Sequence, residues 1–232
     1  MTSEMPTQVV KYTFYKLDRA WRRLPEAERD AGKRELAEVL AGAADAGVMV
    51  KAYTLMGMRG DADFMLWWVS PDLEGVQRLA TAVAGTRLGA YLDTPHSYLA
   101  LTRRSIYIND HEHEGSESRT RVRPMNRPYL FVYPFIKTHA WYQLSQDERQ
   151  RMMQEHFAVG HKYPDVKIHT TYSYGLDDQE FVLGFEASDP RRFLDLIMDL
   201  RTAEQRPYTE RDVPIFTCLL GSVEAVLDSL GG

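Results

Sequence analysis

The sequence has little of what marks many protein classes. It holds one cysteine, Cys218, in 232 residues. That excludes an intramolecular disulfide and any cysteine-rich metal site. No apolar run approaches the roughly 20 residues that a membrane helix needs. Positive charge is not in surplus: 28 Lys and Arg against 33 Asp and Glu leave a net charge of −5, so nothing electrostatic points to nucleic acid. Residues 1–10 lack the basic-then-apolar pattern of a secretory leader. There is no glycine-rich phosphate loop and no Gly-x-Ser-x-Gly elbow. What is present is an ordinary globular composition, 44% apolar and 26% charged. The length allows one large domain or two small ones. The expectation is a soluble protein of the cytoplasm.

An internal repeat organises the chain. Residues Gly57 to Asp72 read as turn, strand, turn, followed by a helical pattern over Leu73–Val83. Residues Gly175 to Pro190 read the same way, followed by a helix over Arg191–Thr202. Asp63-Phe64 aligns with Glu180-Phe181. The first half reads strand (Val9–Leu17), helix (Pro25–Ala44), two strands (Val48–Thr54, Asp63–Ser70), helix, strand (His96–Thr102). The second reads strand (Tyr129–Phe135), helix (Ser145–Tyr163), two strands (Val166–Tyr174, Glu180–Ala187), helix, strand (Ile215–Gly221). Each is a β-α-β-β-α-β unit, so the fold class is α+β with two ferredoxin-like repeats in one chain, the dimeric α/β-barrel type. The expected division is an N-terminal half over 1–108, a polar linker over 109–127 and a C-terminal half over 128–232.

Among the histidines, His156 stands out. It shares a helical face with Met152, Met153, Val159 and Gly160 at i, i+3, i+4 spacing, a face that must pack inward. A neutral imidazole in a Met-lined wall suits an axial haem ligand, although the pattern by itself is met more often by a core histidine. His161 lies about 140° further round the helix. His111 and His113 form a His-x-His pair in the linker, a weak metal signal without further ligands. A second cluster runs from Tyr129 through Tyr133, Lys137 and Trp141. Tyr129, Phe131, Tyr133 and Phe135 share one strand face if Pro134 lets the alternation continue; proline suits a strand end or edge better than its centre. A phenol near a redox centre can be oxidised, and a nearby lysine can pair with a carboxylate. Taken alone, the cluster is read more readily as an aromatic core strand followed by a solvated lysine, because aromatics are common in strands. Cys218 reads as a buried strand thiol.

Together Tyr133-Pro-Phe-Ile-Lys137-Thr-His-Ala-Trp141, Met152-Met-Gln-Glu-His156 and Gly175-Leu-Asp-Asp resemble the chlorite dismutase superfamily, and within it the HemQ-type coproheme decarboxylases. The resemblance covers nearly the whole chain. It implies the double ferredoxin-like fold, a homopentamer and a haem-type ligand in the C-terminal half. It places the axial iron ligand on His156 and a glutamate that orients it on Glu204, where a carboxylate would raise the imidazole's donation to iron. The catalytic tyrosine falls on Tyr133, the propionate-binding lysine on Lys137, and a propionate-binding arginine on Arg121, with Arg119 and Arg123 as rivals. Trp141 could share radical character. The distal arginine of chlorite dismutases falls on Ile168, which can hold no anion by charge or hydrogen bond. The histidine that many actinobacterial members carry has no match; His111 or His113 would have to move in.

These correspondences imply peroxide-dependent oxidative decarboxylation of iron coproporphyrin III to haem b. A Tyr133 radical would act on propionates held by Lys137 and Arg121. The substrate, or haem b, would supply the iron, and hydrogen peroxide the oxidant. No nucleic-acid partner and no membrane insertion are expected. Two other readings stay open: a chlorite dismutase-like or peroxidase enzyme using bound haem, and a non-catalytic haem carrier or sensor. Tyr133 and Ile168 favour the decarboxylase.

Overall fold

The computed structural model describes residues 7–107 and 121–231. In chain order the elements are β1 (Val9–Leu17), α1 (Glu26–Gly42), β2 (Met49–Thr54), β3 (Phe64–Ser70), α2 (Leu73–Ala84) and β4 (Leu92–Leu101). They continue with β5 (Tyr129–Lys137), α3 (His139–Gln143), α4 (Gln146–Gly160), β6 (Lys167–Tyr172), β7 (Phe181–Ala187) and α5 (Pro190–Leu200). The chain ends with β8 (Thr209–Arg211), β9 (Phe216–Gly221) and α6 (Val223–Asp228). The elements gather into two compact units, Met1–Leu101 with Thr217–Gly232, and Thr102–Phe216. Among the described residues no helix is long and apolar enough to cross a membrane.

In the first unit the strands run β4-β1-β3-β2 and every pairing is antiparallel, the ferredoxin-like order. All seven residues of β3 are buried, which its unbroken run Phe-Met-Leu-Trp-Trp-Val-Ser requires. Asp72 caps α2, its side chain accepting from Gly75 N at 2.6 Å. The core gathers Tyr15, Trp21, Leu36, Phe64 and Trp68. In the second unit the order is β6-β7-β5, again antiparallel, with short β8 against the end of β5. Here α5 starts at an Asp189 cap followed by Pro190. It buries Phe193 and Leu196, and Phe193 stacks on Phe131 with ring centroids 4.0 Å apart.

The repeat recurs in detail. Asp63, just before β3, accepts from the N–H of Leu17, the last residue of β1, at 2.9 Å. Glu180, just before β7, accepts from the N–H of Lys137, the last residue of β5, at 2.7 Å. Gly57 and Gly175 both take left-handed backbone, φ +80° and +70°, in the matching turns. Four residues past each strand a buried tryptophan follows, Trp21 and Trp141. The copies diverge where chemistry is at stake: the position of Lys137 is Leu17 in the first copy, and that of Tyr133 is Thr13.

Residues 217–232 group with the first unit rather than with the C-terminal half. The reason is pairing and burial: Ala52 of β2 faces Gly221 of β9, and α6 adds Val226 and Leu227 to the first core. Elements α3, β8 and α6 went unforeseen because each is six residues or shorter. Pro134 lies inside β5 opposite Val182, and the aromatic alternation continues through it. Residues 108–120 lie outside the described residues, and with them His111, His113 and Arg119.

Candidate active site

The second unit encloses a cavity of about 700 Å³, a size suited to a small-molecule site. It is lined by side chains of β5, β6, β7, α4 and α5 and by the segments 102–107 and 121–122. Aromatic and aliphatic groups form much of the lining, among them Tyr133, Phe181, Leu183, Phe185 and Leu196. The charged groups are strongly one-sided. Arg103, Arg104, Arg121, Lys137, Arg149, Lys167, Arg201 and Arg206 contribute; among the described residues the acid facing them in the lining is Asp212. Arg201 and Arg206 both reach that carboxylate, at 2.8 and 2.7 Å. A protein of net charge −5 thus concentrates cations around one apolar hollow, which fits a flat apolar ligand carrying several carboxylates.

His156 is presented to this cavity by α4. A capping box fixes the start of that helix: Glu148 N donates to Ser145 Oγ at 3.3 Å, and Ser145 N donates back to Glu148 Oε2 at 2.9 Å. Met152 is buried, while Met153, His156 and Gly160 line the cavity, as the helical spacing requires. The imidazole is half-buried because part of it faces the hollow. Burial pushes its pKa down to about 4, and the positive charge of Lys137 adds to the effect. It is therefore neutral at physiological pH, with a lone pair available to a metal. Among the described residues no three His, Cys, Asp or Glu side chains are grouped to hold a bare metal ion. A lone imidazole holds iron well when a porphyrin supplies the remaining ligands, so the residues present fit an iron porphyrin.

Glu204, expected to orient His156, is exposed. Its carboxylate pairs with Arg151 Nη1 at 2.5 Å. The residue beside the imidazole is Gln205, buried at 7% exposure, with Nε2 3.3 Å from His156 Nδ1. The chain turns just past α5, and the inward side chain falls one position later than the resemblance placed it.

Tyr133 is buried, stacks on Phe185 with centroids 5.6 Å apart, and lines the cavity. Burial raises the phenol's pKa, and the nearby negative charge of Asp212 raises it further, so it stays an O–H donor. Lys137 is buried too. Its ammonium donates to Gln205 Oε1 and lies 4.2 Å above the Trp141 ring. Burial lowers its pKa to about 8; Glu180 opposes this and Arg206 reinforces it. Trp141 is buried on α3, with Tyr107 and Tyr208 as ring neighbours. Arg121 is half-buried in the lining, while Arg123 is exposed. Ile168 is 39% exposed and faces the same hollow.

Sequence reasoning missed Gln205, the Arg201–Asp212–Arg206 bridge, Arg103, Arg104, Arg149, and a hydrogen-bonded Tyr142–Tyr174 pair at 2.7 Å. Arg201 and Arg206 flank a segment already singled out, so their charge was a usable signal. Gln205 lies past the end of a helix, where no periodicity predicts which way a side chain turns.

The sequence profile described as chlorite dismutase matches residues 29–221. A coproheme decarboxylase from Mycolicibacterium smegmatis is 35% identical over 201 residues, 84% of each chain. A coproheme decarboxylase from Staphylococcus carnosus is 29% identical over 163 residues, 66% of this chain and 65% of that protein. Among solved structures, a mutant chlorite dismutase from Candidatus Nitrospira defluvii superposes with TM-score 0.89 at 25% identity, covering 99% of this chain and 98% of its own. A heme-binding protein from Thermus thermophilus shares the fold with TM-score 0.84 at 21% identity, with 96% of each chain covered. With the profile spanning most of its length and a relative 35% identical over 84% of each chain, the chain belongs to the chlorite dismutase family.

Proposed function

We propose that this protein is a coproheme decarboxylase that converts propionates of iron coproporphyrin III to the vinyl groups of haem b at the expense of hydrogen peroxide. The observation that carries this reading is the cationic lining around a neutral histidine and a buried tyrosine, all in one apolar cavity. Iron coproporphyrin III has four propionates, whereas haem b has two, and a lining this basic suits the more highly charged molecule. The two relatives named above carry the same activity in their names.

When bound, the substrate's iron supplies the centre at which peroxide is reduced. His156 holds that iron from one side through a neutral ring nitrogen. Lys137 and Arg121 hold carboxylates by charge-assisted hydrogen bonds. Tyr133 gives up an electron and its phenolic proton, then takes a hydrogen atom from the propionate carbon next to the ring. Loss of a second electron releases carbon dioxide and leaves a vinyl group. Each step balances with one peroxide and one proton consumed and two waters formed. Burial of Tyr133 keeps the radical from solvent, and proximity to the propionate is the condition for hydrogen transfer. Ile168 supplies no charge or hydrogen bond for an oxyanion, which disfavours chlorite chemistry at the same iron. The family's homopentamer and a cytoplasmic setting are part of the proposal. Incubation with iron coproporphyrin III and peroxide tests it: vinyl products are expected, and reversible porphyrin binding without turnover would support the carrier reading instead.

A further inference from the structure

Strand β7 buries a carboxylate that the mechanism does not use. Phe181, Leu183 and Phe185 line the cavity, so alternation turns Glu186 to the opposite face of the sheet, where it is fully buried. His169 of β6 is buried beside it, with Nε2 2.8 Å from Glu186 Oε2. The same oxygen accepts from the N–H of Met125 at 2.8 Å. Burial works against the charge, but these donors, helped by the N–H of Arg127, outweigh it and hold the carboxyl below its ordinary pKa. A carboxylate only accepts, so His169 donates to it. The sheet itself does not need this pair. The first copy has Lys51 and Val69 at the two positions, matched through the facing pairs Met49–Val69 and Lys167–Glu186. What the second copy must hold is the chain that leads into β5. Residues 122–127 form no helix or strand. At Asn126 the backbone is left-handed, φ +56°, a turn that lets the N–H groups on either side face one anion. Arg121, at the head of this segment, lines the cavity with Val122 buried next to it. Among the described residues no ion pair holds the Arg121 guanidinium, so the backbone that carries it sets where it sits.

We propose that Glu186 and His169 are positioning residues for substrate binding: from the far face of the sheet they clamp the backbone at Met125 and so hold Arg121 at the cavity, where it meets a substrate carboxylate. The clamp rests on the decarboxylase reading for the identity of that carboxylate. Neither residue touches the ligand. Their effect is to order the segment before the ligand arrives, so that binding does not bear that cost. Loss of the clamp should therefore raise KM more than it lowers kcat, because Tyr133 and His156 stand on other elements.

The affinity of the full chain for metal-free coproporphyrin III, followed by porphyrin fluorescence at several salt concentrations, reads the clamp without turnover. Arg121→Gln should weaken binding roughly tenfold and flatten its salt dependence. Glu186→Gln should do the same, and the double variant should bind about as the single variants do, because the same contact is lost each time. Met125→Pro removes the N–H that Glu186 holds, at a residue whose side chain is exposed. It should match Glu186→Gln, and it provides the test if an amide buried at 186 prevents folding. His169→Gln keeps a donor and should retain affinity, whereas His169→Leu should lose it. Losses that add in full in the double variant overturn the proposal. So does a salt dependence left unchanged in both Glu186→Gln and Met125→Pro, or an Arg121→Gln variant that binds as the wild type does. Vinyl formation from iron coproporphyrin III is followed separately. Losses that fail to add, with no vinyl product from the wild type, would remove the decarboxylase reading and leave the clamp standing; vinyl product with additive losses would remove the clamp alone.

Discussion

Tyr133→Phe separates the radical role of this residue from its structural one. The substitution deletes one hydroxyl and keeps the ring. The stack on Phe185, 5.6 Å between centroids, and the place opposite Leu183 in the β5–β7 ladder are both retained. The structure gives the hydroxyl no hydrogen-bond partner among the described residues, so its removal orphans no buried group. Stability should therefore change by less than about 1 kcal/mol, and porphyrin affinity by less than about threefold, or ~0.7 kcal/mol. The chemistry should change far more. A phenylalanine ring has no O–H bond to break, and the propionate would have to be oxidised without the intermediary. A loss of at least about a thousandfold in vinyl formation is expected, equivalent to ~4 kcal/mol at 1.36 kcal/mol per tenfold. The assay is chromatography of porphyrin products over time, beside thermal unfolding and a porphyrin titration of the same preparation. Haem b formed by Tyr133→Phe at the wild-type rate would refute the role given to this residue.

His156→Ala should keep the fold, since the imidazole makes one long hydrogen bond, but lose the histidine-ligated absorption spectrum of the bound iron porphyrin. Because the folded His156 pKa is about 4, ligation in the wild type should persist on acidification to about pH 5, checked by the same spectrum. Lys137 titrates in the fold near 8, against an ordinary 10.5. Between those values the unfolded chain binds more protons than the folded one, so its contribution makes ligand-free stability rise with pH across that window, by roughly 3 kcal/mol in all. That rise should be missing from denaturant titrations of Lys137→Met. Asp212→Asn frees two arginines, Arg201 and Arg206, from their shared carboxylate; it should tighten binding of coproporphyrin at low salt and steepen its salt dependence.

The fold was legible because it repeats. The turn glycines Gly57 and Gly175 and the acid–aromatic pairs Asp63-Phe64 and Glu180-Phe181 mark the same junction in both copies, and the structure uses them identically. The inward face of α4 was legible from Met152 and His156 at helical spacing, and the aromatic face of β5 from strict alternation. The placement of Gln205 rather than Glu204 beside His156 was not, because it depends on how the chain turns after α5 ends. The grouping of 217–232 with the first unit is a long-range pairing of β9 with β2 that no local pattern encodes. The cationic character of the cavity was hidden in an acidic chain: its arginines come from segments scattered over a hundred residues and meet only in the folded unit.

Mass spectrometry of the porphyrin after mixing the protein with iron coproporphyrin III and hydrogen peroxide tests the central claim most directly. The account predicts stepwise loss of two propionate carboxyls, each replaced by a vinyl group, ending at haem b with one peroxide consumed per vinyl. Recovery of unaltered iron coproporphyrin III after peroxide has been consumed would contradict it.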